Sequence, residues 1–75
     1  MVVVYSTPAC PYCTMAKNYL SDNNVKFKDL NVAQNPGWAR EMIQKSGQQG
    51  VPVIDYNGQI IIGFDRKRLE KLIRG

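Results

Sequence analysis

Four residues near the start, Val2-Val3-Val4-Tyr5, form an unbroken β-branched and aromatic run. A strand with one wet face alternates apolar and polar side chains. A run without alternation therefore predicts a strand covered on both faces, at the centre of a sheet. Covering both faces takes helices above and below the sheet, and 75 residues leave room for one such layered domain, spanning 1–75.

The remaining elements follow from turn and cap signals. Residues 6–9 form a loop, and a helix begins at Cys10 with Pro11 in its first turn, where a missing N–H costs nothing. Tyr12, Met15, Ala16, Tyr19 and Leu20 give that helix an apolar stripe, and residues 21–24 close it. Residues 25–31 read as a second strand, with Val25 and Phe27 alternating against Lys26 and Lys28 as suits a sheet edge. Asn35 caps a second helix with Pro36 at its first position, Trp38, Ala39, Met42 and Ile43 inside, and Gly47 at its end. Strands at 51–56 and 59–62 flank Asn57-Gly58, the dipeptide of a type I′ hairpin. Asp65 then caps a last helix whose Leu69, Leu72 and Ile73 turn inward. The order βαβαββα predicts an α/β fold: a four-stranded mixed sheet with helices on both faces and a right-handed crossover.

Composition excludes several functions. The longest apolar stretches fall far short of the roughly 20 residues of a membrane span, and no signal-peptide pattern opens the chain, so a cytoplasmic, reducing setting is expected. The net charge is +4. Half of the basic side chains (Arg66, Lys67, Arg68, Lys71 and Arg74) lie in the last helix, beside Asp65 and Glu70 and without interleaved aromatics, a weak pattern for nucleic acid. There is no histidine.

The chemistry lies in Cys10-Pro11-Tyr12-Cys13, where the central strand gives way to a helix. Two cysteines at this spacing beside a βαβ pattern read as a dithiol redox site. Unpaired N–H groups at a helix start favour negative charge on the first sulfur, which makes Cys10 the attacking thiolate. Cys13, one turn on and less exposed, is placed to resolve a mixed disulfide formed on Cys10. Lys17, four residues further along the same face, is the one nearby cation that could assist. A structural disulfide closing so short a loop would add little, and two cysteines without histidine supply at most half a zinc site, so no metal is expected.

On these residues the chain resembles the glutaredoxins of the thioredoxin superfamily along nearly its whole length. The resemblance rests on Cys10-Pro11-Tyr12-Cys13, on Gly50-Val51-Pro52-Val53 opening the third strand, and on Ile62-Gly63-Phe64-Asp65 before the last helix. It implies a minimal thioredoxin-like fold and reduction of protein disulfides or glutathione mixed disulfides. It implies no tightly bound cofactor, with glutathione as co-substrate. It further implies a cis bond before Pro52, a strand-addition contact from the Val51 backbone to the substrate, and substrate-facing roles for Pro11, Tyr12, Gly63, Phe64 and Asp65.

Glutathione-using members carry a lysine three residues before the first cysteine, where this chain has Thr7. They carry Thr before Val-Pro, here Gly50, and Gly-Gly where this chain has Gly63-Phe64. The glutathione carboxylates would then fall to Arg66 or Lys67 and to Arg40 or Gln48. Gly63-Phe64 instead looks like the small hydrogen donors that serve ribonucleotide reductase and are recharged by thioredoxin reductase. A third reading, an iron–sulfur carrier using Cys10 and glutathione from two chains, is disfavoured by the stiffening Pro11. A monomer is expected.

Overall fold

The computed structural model describes residues 1–75. Its elements are β1 (Val2–Ser6), α1 (Pro11–Asp22), β2 (Phe27–Asn31), α2 (Pro36–Ser46), β3 (Val53–Tyr56), β4 (Gln59–Ile62) and α3 (Arg66–Arg74), in the order the sequence implies. The strands form one sheet ordered β2-β1-β3-β4. β1 runs parallel to β2 and antiparallel to β3, and β4 completes the hairpin.

The unbroken run of β1 divides its side chains between two layers. Val2 and Val4 pack with Ala16 and Leu20 of α1, Ile54 and Ile61 of the hairpin, and Leu69 of α3. On the other face Tyr5 joins Leu30, Val53 and Met42 of α2, with Trp38 and Ile43 at the margin. Helices α1 and α3 thus cover one face and α2 the other, with the central strand as the shared floor of both cores. Asn57 and Gly58 both take positive φ, 51° and 99°, as a type I′ turn requires.

Three boundaries and one helix face differ from the sequence reading. β1 runs on through Ser6, which pairs with Asn31 of β2 instead of opening the loop. β2 starts at Phe27 rather than Val25, because Asn24 turns left-handed (φ 59°) and the Val25 N–H bonds back to the Leu20 carbonyl, so the chain is still leaving α1. β3 starts at Val53, the first residue to pair with β1 and β4; Val51 and Pro52, joined by a cis bond, precede the ladder. In α1 the buried row is Cys13, Ala16 and Leu20, whereas Tyr12 and Met15 are 62% and 47% exposed. The helix is rotated relative to the apolar stripe, so that a cysteine faces the core and two large apolar side chains face solvent. No helix is long and apolar enough to cross a membrane.

Candidate active site

Chain direction fixes the position of the dithiol. β1 ends at the buried Ser6, the 7–9 loop turns, and Cys10 becomes the N-cap of α1 with extended backbone (φ −102°, ψ 110°). An N-cap side chain normally accepts from an early N–H of its helix. Here the acceptor is sulfur: the Cys13 N–H donates to Cys10 Sγ at 3.2 Å. A thiolate accepts such a bond more strongly than a thiol, and the aligned dipoles of α1 act in the same direction. Pro11 at the first helical position leaves the other early N–H groups undisturbed.

Both cysteines are free, and they differ sharply in environment. Cys10 is half-buried; Cys13 is fully buried. Burial pushes the Cys13 thiol up to about 11, and its hydrogen bond with Cys10 acts the same way, while the Thr7 backbone and the Lys17 charge pull it down. One sulfur is therefore presented, and the other is held back as a protonated thiol.

The residues that the glutaredoxin resemblance singles out fall into two groups. Cys10 Sγ lies 3.9 Å from the Val51 carbonyl oxygen, a sulfur-length contact that places the start of the Val51–Pro52 segment beside that sulfur. Pro52 is buried, and its carbonyl accepts the Gly63 N–H at 2.8 Å, which ties the loop after β4 to the same turn. Gly63 takes φ 76°, a conformation that a side chain resists. Pro11 and Tyr12 stand exposed on the helix start. Of these residues, Val51 is the one in contact with Cys10 Sγ, and Gly63 is linked to it through Pro52.

Phe64 and Asp65 are engaged elsewhere. The Phe64 ring packs edge-on against Tyr19, centroids 6.0 Å apart, and the Asp65 carboxylate caps α3 by accepting the Arg68 N–H at 3.2 Å. Arg66 lies over the Tyr19 ring, 5.6 Å from its centroid. Tyr19 is nine residues beyond Cys10, about 13 Å along the helix axis, so this guanidinium faces the far half of α1. Gln48 bonds its neighbour Gly50 through its side-chain amide, and Arg40 and Lys67 are exposed.

Sequence reasoning missed a polar network on the α2 face. The buried Tyr5 hydroxyl donates to Glu41 Oε2 at 2.9 Å and accepts from Lys45 Nζ at 3.0 Å, and Lys45 also donates to Asp55 Oδ2 at 2.8 Å. Burial raises the Tyr5 phenol; the Asp55 and Tyr5 bonds raise Lys45. Burial pushes the Asp55 carboxyl up, but the Lys45 ammonium and the Gly58 N–H outweigh it and hold the group below its ordinary range. A tyrosine inside an apolar run carried the one available signal, since a buried phenol needs a partner.

Known proteins share both sequence and fold with this chain. A glutaredoxin family model matches residues 2–61. An uncharacterized glutaredoxin-like 8.6 kDa protein in the rubredoxin operon of Clostridium pasteurianum is 47% identical over 73 residues, covering 97% of both chains. The glutaredoxin-like protein NrdH of Lactococcus lactis is 33% identical over 72 residues, covering 96% of this chain and 99% of its own. Among solved structures, a glutaredoxin of Archaeoglobus fulgidus superposes with a TM-score of 0.86 at 25% identity, over 99% of this chain and 86% of that one. With a cysteine pair at the start of α1 and a family match spanning most of the sheet, the chain belongs to the glutaredoxin family of thiol–disulfide oxidoreductases.

Proposed function

We propose that this protein reduces protein disulfides or glutathione mixed disulfides by a two-step dithiol reaction at Cys10 and Cys13. The unequal environments of the two sulfurs support the reading most directly. Cys10 Sγ attacks one sulfur of the substrate disulfide; a Cys10–substrate disulfide forms and the first substrate thiolate leaves, taking a proton from solvent. Cys13 then loses its proton and attacks Cys10 Sγ. The Cys10–Cys13 disulfide forms, the second substrate thiol is released, and the substrate has gained the two electrons that the pair has lost. The Val51 backbone and the Tyr12 and Gly63 surface receive the peptide around the substrate disulfide. No tightly bound cofactor takes part; an external thiol donor restores the pair, with glutathione as co-substrate.

A second reading keeps this chemistry and changes the donor to thioredoxin reductase. It is supported by Thr7 in place of a lysine, by Phe64 packed on Tyr19, and by a similar NrdH protein of nearly equal length. Turnover with glutathione, glutathione reductase and NADPH, set against thioredoxin reductase and NADPH, separates the two donors. In either assay Cys10→Ser is expected to abolish turnover and Cys13→Ser to accumulate mixed disulfides visible by mass spectrometry. Parent-level turnover by Cys10→Ser would overturn the mechanism.

A further inference from the structure

Behind the dithiol, three side chains from three elements form one hydrogen-bonded chain. Ser6, the buried last residue of β1, donates its hydroxyl to Asp29 Oδ1 of β2 at 2.7 Å. Asp29 Oδ2 accepts from Lys17 Nζ of α1 at 3.0 Å. Lys17 lies one helical turn beyond Cys13, on the same side of α1. The Lys17 and Asp29 side chains keep 27% and 43% of their exposure, and an ion pair that open adds little to stability. What distinguishes it is location: a long, flexible cation rooted one helical turn beyond the resolving cysteine is fixed by a carboxylate that is itself fixed from β1.

We propose that Lys17, held by Asp29 and Ser6, is a positioning residue whose ammonium favours the Cys13 thiolate during resolution of the mixed disulfide. The proposal rests on the two-step reading above. In the step concerned, the Cys13 S–H bond breaks, its proton passes to solvent, and the sulfur's electron pair forms the bond to Cys10 Sγ while the substrate thiolate departs and is protonated. No further oxidant or reductant enters. The negative charge on Cys13 has to develop inside the protein, where burial opposes it. Two titratable groups act on this sulfur, Cys10 and Lys17, together with the Thr7 backbone. Once Cys10 is tied up in a mixed disulfide, Lys17 is the charge that remains. Asp29, reaching in from β2, binds the Lys17 ammonium through Oδ2 and the Ser6 hydroxyl through Oδ1, and so holds the ammonium in place.

The test uses stopped-flow reaction of the reduced protein with neutral dithiodipyridine, which releases one thiopyridone on attack by Cys10 and a second on resolution by Cys13. Lys17→Met is expected to slow the second phase about fivefold near neutral pH and to move its pH profile upward. Lys17→Arg should restore most of the rate, and Asp29→Asn, which frees the ammonium, should fall between. Thermal melts identify any variant that has lost its fold. An unchanged second phase in both Lys17→Met and Asp29→Asn, or equal slowing of the two phases, would overturn the role of Lys17 while leaving the dithiol mechanism standing. Absence of a Cys13-dependent second phase in the parent would instead overturn the two-step reading, and this proposal with it.

Discussion

At the scale of single residues, the two sulfurs differ because Cys10 caps α1 and Cys13 is buried within its first turn. Cys10 and Cys13 are legible because their spacing and the following helix act within a few residues of one another. The contact of Val51 with Cys10 and the bond from Gly63 to Pro52 join positions far apart in the chain, and only the fold brings them together. Gly63 is a sharp case. Nothing lies within 4 Å of where a Cβ would sit, so the glycine is required by its φ of 76° alone. Gly63→Ala is expected to cost about 1 kcal/mol through backbone strain, lowering Tm by about 4–8 °C for a domain of this size. Calorimetry checks this, and an unchanged Tm would mean that the loop relaxes without cost.

At the scale of elements, the caps of α2 and the hairpin turn are legible because each is a local negotiation over unpaired backbone groups. Asn35 accepts the Gly37 N–H at 2.9 Å, Gly47 ends α2 in the left-handed region, and the two-residue hairpin pairs Tyr56 with Gln59. The rotation of α1 was not legible, since hydrophobicity ranks Tyr12 and Met15 as core candidates and a cysteine as a reactive group. Cys13 is buried at its place on α1 while the larger Tyr12 stays in solvent. The start of β2 was misplaced for a related reason: alternation at Val25 and Lys26 resembles a strand, yet an asparagine able to turn left-handed keeps those residues in the exit from α1.

At the scale of the whole molecule, stability is tied to pH through the α2 network, whose hydrogen-bonded pairs lie 10 to 40 residues apart and meet only when the layers close. Asp55 is held below its ordinary value near 3.9, so its contribution is present above that pH and is lost as pH falls through the folded value. Tyr5 and Lys45 are raised above ordinary values near 10, so theirs is present below pH 10 and is lost as pH rises further. Lys45→Met is expected to be about 1–2 kcal/mol less stable than the parent at pH 7. Urea melts across the acid range should show that gap closing below pH 4, as Asp55 protonates and the ammonium loses its partner. A gap independent of pH would assign the loss to packing alone.

The sheet order leaves two strands with one unpaired side each, and they are defended unequally. β2 shows Lys28 and Asp29 to solvent, charges that discourage a second copy from adding a strand. β4 offers Gln59-Ile60-Ile61-Ile62, with no charge in it and Ile62 half exposed. Its shortness is its main protection. Any self-association in concentrated solution is therefore expected along β4: Ile62→Lys should scatter less light than the parent at equal concentration, whereas higher scattering unchanged by that substitution would place the contact on another surface.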